Sequence, residues 1–285
     1  MPLDLGVVGA RTEPWTVEWD SKDALLYALG VGAGAEDPAQ ELALTTENTE
    51  GVAQQVLPTF PVVLGSGGPR LSYGDIDLSK LVHAEQSIVL HRPLPVTGRA
   101  TMTRGIDGMY DKGSGALVTM SSSLVDAETG EPLADMTNGA FIRGEGGFGG
   151  DRSPTETWAV PDREPDAEAR QRTRIDQALL YRLSGDRNPL HSDPAFARRG
   201  GWPRPILHGL CTFGFVGRAL LHAAAGSDPV RFRSMRARFS RPVMPGDELV
   251  TRFWFDGTTV LFQTRVGDQV VLDRGVAEVE KDGTT

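Results

Sequence analysis

The stretch RGEGGFGGDRSPTE, at positions 143–156, interrupts the hydrophobic patterning near the middle of a 285-residue chain. Dense in glycine and followed by the charged PDREPDAEARQR, it reads as a flexible connection. On either side the same events recur in the same order: a helical stretch with glycines, an arginine-proline turn, alternating strands and a closing hairpin. A chain built this way is a duplication. Its halves are related by an approximate twofold axis, and a site is expected where they meet. The expected boundaries are 1–144 for the first half, 145–165 for the connection and 166–285 for the second half.

The second half carries the clearer pattern. ILHGLCTFGFVGRALLHAA is entered through Pro203 and Pro205, and Leu207, Leu210, Phe213, Val216 and Leu220 cover much of its circumference, so this helix must be buried. MRARFSRPVMPGDELVTRFWF then alternates as strands do around a turn at Pro245, Gly246 and Asp247, and VLFQTRVGDQVVLDRGVAEVE closes as a hairpin over Gly267 and Asp268. In the first half KDALLYALGVGAG reads as the helix. LVHAEQSIVLHRPLPVTGRATMTRGI and ALVTMSSSLVDAETGEPLADMTNGAFI read as the strands, with RPLPVTG echoing RPVMPG. One helix followed by antiparallel strands indicates an α+β layer, not the alternation of a parallel sheet.

Composition narrows the function. A chain of this length suits one large domain or two of about 100 to 150 residues. Hydrophobic content of 39% and charged content of 24% are ordinary for a globular protein, and no apolar run reaches the roughly 18 residues of a membrane span. MPLDLGVVGARTE does not resemble a secretory signal and KDGTT is not a retention or peroxisomal address, so a cytoplasmic location is expected. Cys211 is the only cysteine and there are five scattered histidines, which leaves no disulfide and makes a metal site unexpected. A net charge of -9 excludes a general nucleic-acid surface. Arg231, Arg233, Arg236 and Arg238 recur within eight residues, either as a solvated edge or as a mouth for an anionic small molecule.

Two glycine-bearing stretches compete for chemistry. In LGVGAGA, Gly30, Gly32 and Gly34 follow a helix, whereas a dinucleotide fingerprint opens one, so the stretch reads as a glycine-terminated helix. In SGDRNPLHSDPAF, Asp193 and Pro194 read as the cap and first turn of a helix, with Asp186 and Asn188 closing side-chain turns. That account has no use for His191. A carboxylate and an imidazole held together can orient one water, take a proton from it and return one elsewhere. Gly209, at the start of the buried helix, offers an unpaired amide that an oxyanion could approach, or else it only eases packing. His208 and His222 have no evident partner, GxSxG is absent, and Cys211 lies inside an apolar helix.

YRLSGDRNPLHSDPAFA followed by PILHGLCTFGF resembles the signature of the MaoC-like (R)-specific 2-enoyl-CoA hydratases (hydratase 2). It is similar to the long form found as the hydratase part of peroxisomal multifunctional enzyme type 2 and as stand-alone bacterial proteins. YALGVGA, LPTFPVVLG, HAEQ, RPLP, DKGSG and RARFSRPVMPGD extend it over nearly the whole chain. The resemblance implies a double hotdog, each half a helix wrapped by a curved antiparallel sheet. It implies hydration of trans-2-enoyl-CoA to (3R)-3-hydroxyacyl-CoA in fatty acid metabolism. Asp186 and His191 would be the catalytic pair, Asn188 their support and Gly209 the oxyanion amide. His83, Ala84, Lys112 and Phe239 would hold the coenzyme A moiety. Ala84 stands where the family usually has glycine.

No cofactor is implied, because coenzyme A is part of the acyl-CoA substrate. The first half lacks the DxNPLH loop, so it would accommodate the acyl tail without chemistry. A homodimer is left open, although one such chain already supplies the paired fold. The rivals are a 3-hydroxyacyl-thioester dehydratase using the same site, a hotdog thioesterase, and a catalytically silent acyl-CoA-binding partner subunit.

Overall fold

The structure, a computed structural model, describes residues 3–77, 80–150, 153 and 157–280; part of the connection and the KDGTT end lie outside them. The first half runs β1 (Trp15–Trp19), α1 (Ser21–Gly30), α2 (Leu42–Thr45), α3 (Pro61–Leu64), β2 (Leu81–Leu90), β3 (Gly98–Asp111), β4 (Gly115–Asp126) and β5 (Pro132–Arg143). The second runs β6 (Ala167–Arg172), α4 (Gln177–Tyr181), α5 (Pro194–Arg199), α6 (Gly209–Ala223), β7 (Phe232–Phe239), β8 (Glu248–Asp256), β9 (Thr259–Val266) and β10 (Gln269–Val279).

All ten strands join one sheet in the order β1-β3-β4-β5-β2-β7-β10-β9-β8-β6. If β6 to β10 are matched to β1 to β5, this order reads the same from either end. The duplication is therefore a pseudo-twofold whose axis passes between β2 and β7, which pair antiparallel from Glu85↔Arg238 to Val89↔Ser234. RPLPVTG joins β2 to β3 and RPVMPG joins β7 to β8, so the two echoing turns occupy equivalent places.

α6 touches both β7 at the sheet centre and β6 at its edge. Four strand spacings of about 4.8 Å lie between those strands along the sheet, so the half-sheet must curl around the helix to reach both. Every residue from Cys211 to Leu221 is buried, as expected for a helix apolar nearly all round. Close approach is possible because Gly217 has no side chain: a Cβ there would lie 2.4 Å from Thr59 Cγ2. The main core combines α1 and α6 with both half-sheets through Tyr27, Phe60, Phe213, Phe215, Phe232, Phe253 and Phe262. No helix among the described residues is long and apolar enough to cross a membrane.

Two expectations change. The first-half helix α1, fixed by a reciprocal Asp20–Asp23 capping box, is by order the counterpart of α4, against which it packs. The counterpart of α6 is α3, only four residues long. The connection is also less free than its glycines suggest. Gly147 and Gly149 donate their amides to the Asp111 carboxylate at 3.0 and 2.7 Å, and the Trp158 indole donates to Gly275 O. The charged stretch beyond it supplies β6, which pairs with β8 from Ala167↔Phe253 to Arg172↔Glu248.

Candidate active site

The loop from Gly185 to Asp193 is built from consecutive side-chain turns. Gly185 has φ 132, and any Cβ there would lie 2.6 Å from Ser66 Cβ of the first half, so glycine is required on both counts. Asp186 Oδ1 accepts the Asn188 amide at 3.1 Å, and Asn188 Oδ1 accepts that of Leu190 at 3.0 Å, capping a single turn over Pro189–His191. Asp193 then caps α5 by accepting from Ala195 and Phe196, with Pro194 in the first turn. Asp193 is thus occupied by folding, as expected, while Asp186 keeps one carboxylate oxygen outside this turn.

His191 is 8% exposed, and its Nδ1–H donates to Ile206 O at 2.8 Å. That bond fixes the tautomer and leaves Nε2 with a lone pair. Burial lowers the His191 pKa, opposed by the Ile206 bond and the Asp186 charge, so the ring is poised as a neutral proton acceptor. His208 stacks on it with ring centroids 3.8 Å apart and planes at 29°, and its Nε2–H donates to the main-chain oxygen of Asp186 at 3.2 Å. Burial first, then the neighbouring His191, pushes His208 down to about 3.

Asp186, His191 and His208 bring one carboxylate oxygen and two ring nitrogens within 4.8 Å of one another. As metal ligands they are poorly disposed: two near-parallel stacked rings cannot both aim in-plane lone pairs at one ion, and each ring has committed a nitrogen to a backbone oxygen. The same spacing suits a water. A water making two hydrogen bonds of about 2.8 Å bridges atoms as far as 4.8 Å apart when the bonds meet at about 118° or less.

Asp186 and His191 face a cavity of about 360 Å³ between the two halves, lined by Tyr73, Val82, His83, Met120, Asn138 and Arg143 from the first and by Asp186, Asn188, His191, Gly209, Leu210, Phe239 and Val243 from the second. Gly209 is the first residue of α6, so its amide has no intrahelical acceptor and sits at the positive end of the helix. Phe239 covers it, with ring atoms 3.3 to 3.5 Å from where a Gly209 Cβ would stand. His83 packs on Phe239 at 4.8 Å between ring centroids, and its Nε2 bonds Glu85 O at 2.9 Å. His83 keeps part of its surface at the cavity while its imidazole is closely surrounded by protein, and burial lowers its pKa to about 4 against the opposing Glu85 bond and Asp186 charge.

Of the residues expected to form the site, Asp186, Asn188, His191, Gly209, His83 and Phe239 therefore converge. Ala84 and Lys112 do not line the cavity. Ala84 falls at the register shift between His83 and Glu85 in the β2–β5 ladder, where one extra residue bulges from the strand. Lys112 lies in the β3–β4 hairpin, its amide donating to Gly115 O, and Gly115 pairs with the lining residue Arg143. Arg231, Arg233, Arg236 and Arg238 do not line the cavity either, and Arg233 is paired with Glu280. The Cys211 thiol is buried and raised well above its ordinary pKa by that burial.

Sequence reasoning passed over His208, although its position directly before Gly209 was the available signal. It also passed over Arg143 and Trp202, which stack across the cavity wall at 5.7 Å. His222 has partners as well. It lies beside a larger crevice of about 590 Å³ and bonds Glu41 and Ser227. Glu41, Arg218 and His222 at its wall are bonded to one another.

The fold and site define a class. Residues 17–144 match the MFE-2 hydratase 2 N-terminal domain and residues 156–275 match the MaoC-like domain, and the chain belongs to the MaoC-like family in its double-hotdog form. Over 98% of its length it is 44% identical to 3-hydroxyacyl-thioester dehydratase Y of Mycobacterium tuberculosis, covering 99% of that protein. It is 40% identical over 97% of its length to an enoyl-CoA hydratase of the same organism, of which it covers 98%. It superposes on the crystal structure of a MaoC-like dehydratase from Phytophthora capsici with a TM-score of 0.88 at 32% identity, covering 98% of this chain and 99% of that one.

Proposed function

We propose that the chain is a hydro-lyase that adds water reversibly to trans-2-enoyl-CoA, giving (3R)-3-hydroxyacyl-CoA. The observation that carries this reading is the meeting, in one cavity between the halves, of the Asp186 carboxylate, the His191 imidazole and the Gly209 amide. The names of two full-length relatives, an enoyl-CoA hydratase and a 3-hydroxyacyl-thioester dehydratase, support it.

Asp186 and His191 hold a water over C3 of the enoyl group. The Gly209 N–H donates a hydrogen bond to the thioester oxygen and stabilises the negative charge that develops there as the water oxygen bonds to C3. One water proton passes to the pair and the pair delivers one to C2, so the elements of water are added and no cofactor is consumed. Asn188 supports the loop that carries both groups. His83 and Phe239 line the path of the thioester, while Ala84 and Lys112 act on the coenzyme A moiety outside the cavity. The first half, which lacks the DxNPLH loop, takes the acyl tail along the part of the cavity wall that Tyr73, Met120 and Asn138 form.

The reverse reaction uses the same atoms, and the dehydratase relative favours it as the second reading. The test is to mix the protein with a panel of enoyl-CoA thioesters, follow loss of the conjugated ultraviolet absorbance and determine product chirality. The 3R alcohol is expected. The 3S alcohol, or release of free thiol in place of hydration, overturns the assignment.

A further inference from the structure

We propose that His208 is a positioning residue that locks the acid/base pair and the oxyanion amide into one frame. The inference rests on the functional reading above and adds to it a residue that touches all three parts of the site. Its Nε2–H holds the main-chain oxygen of Asp186. Its ring lies flat on that of His191. Its carbonyl carbon is bonded to the Gly209 nitrogen, and its carbonyl oxygen accepts the amides of Cys211 and Thr212 at 3.1 and 3.2 Å, which opens α6 and aims the Gly209 N–H outward.

Packing alone explains this residue poorly. His208 is 1% exposed, and its Nδ1 is buried without a hydrogen-bond partner. A side chain selected only to fill this space would not carry an unsatisfied acceptor, since each such atom is costly to bury. What an imidazole supplies, and a phenyl ring does not, is a donor and a flat stacking face in one rigid group. The Tyr181 ring, 4.9 Å away, backs it from α4. The titratable and charged groups around it are Asp186 and His191 of the loop and Tyr181 and Arg182 from the end of α4, with His83 of β2 facing Asp186 from the opposite half. With His208 held neutral, no second positive charge stands beside His191 when it takes a proton.

The frame predicts separable losses. His208→Phe keeps the stacked ring but loses the tie to Asp186. It should lower kcat at least tenfold with KM changed by less than about threefold, because displacements of the order of 1 Å cost about a hundredfold in rate. His208→Ala removes the ring and admits water to His191. The His191 pKa, read by NMR of the labelled imidazoles, and the acid limb of kcat/KM should then both move up toward 6.5, whereas in His208→Phe both stay in place.

A residue that only fills space would lower the melting temperature of these variants without changing kcat of folded His208→Phe, which keeps the ring. Parental kcat in folded His208→Phe, or an unmoved His191 titration in His208→Ala, overturns the inference. Failure of the parent to hydrate any enoyl-CoA overturns instead the functional reading on which it rests, and the NMR titration, which needs no substrate, separates the two outcomes.

Discussion

The replacement Glu41→Gln tests how the two halves are held together. Glu41 precedes α2 with φ 57, and its carboxylate reaches across to α6. It accepts from Arg218 Nη1 at 2.8 and 2.7 Å, from His222 Nε2 at 2.7 Å and from the Gly34 amide at 2.9 Å. The Arg218 and Glu41 side chains are only 11% and 15% exposed. Burial by itself would raise the Glu41 pKa, but the bonds from His222 and Arg218 outweigh it and bring it from 4.5 down to about 2.

That drop corresponds to about 3 kcal/mol, or about 2 to 3 once solvent screening in the open crevice is allowed for. Breaking a buried pair outright costs about 3 to 5 kcal/mol, and glutamine, which keeps an acceptor oxygen, belongs at the lower end. It also keeps the left-handed backbone strained to the same extent, so the difference isolates the charge. We expect Glu41→Gln to lose about 2 to 3 kcal/mol at pH 7, measured by urea unfolding followed through tryptophan fluorescence, and about 4 to 10 °C in Tm. Because the folded pKa lies below the unfolded one, this stabilisation is complete above about pH 5 and is lost as pH falls through 4.5 toward 2. The parent and the variant should therefore converge in acid. A loss below about 0.5 kcal/mol at neutral pH, or one that stays constant from pH 7 to 3, refutes the reasoning.

Two further outcomes follow from the packing and the site. Gly217→Ala should destabilise by about 1 to 3 kcal/mol despite the better helix propensity of alanine, because its methyl would meet buried Thr59 at 2.4 Å; an unchanged or higher Tm contradicts it. The acid limb of kcat/KM should fall below pH 6.5, since burial lowers the His191 pKa and the neutral ring is the form that accepts a proton; a limb above 6.5 would place another group in control.

Much of this was legible because the patterns were local. The DxNPLH loop shows its own turns: Asn188 and Asp193 cap the next elements, and that leaves His191 without structural employment. The repeated arginine-proline turns disclosed the duplication. The counterpart of α6 was misjudged because α1 is the longer, better capped helix, while α3 has only four residues and no cap to announce it. The partners of His208 and His222 were invisible for a different reason. Asp186 lies 22 residues from His208 and Glu41 lies 181 from His222, and such contacts exist only once the sheet has closed around the helix. The charged segment that becomes β6 alternates exposed and less exposed residues weakly, and its place at the sheet edge is set by β8.

The most direct test of the central claim is the hydration rate of Asp186→Asn beside the parent, on one enoyl-CoA that the parent accepts. The side chain keeps its size and its turn-forming oxygen, so Tm should stay within a few degrees, while loss of the acid/base group should lower kcat by roughly 100 to 10,000-fold. A folded Asp186→Asn variant that hydrates at the parental rate would contradict the account.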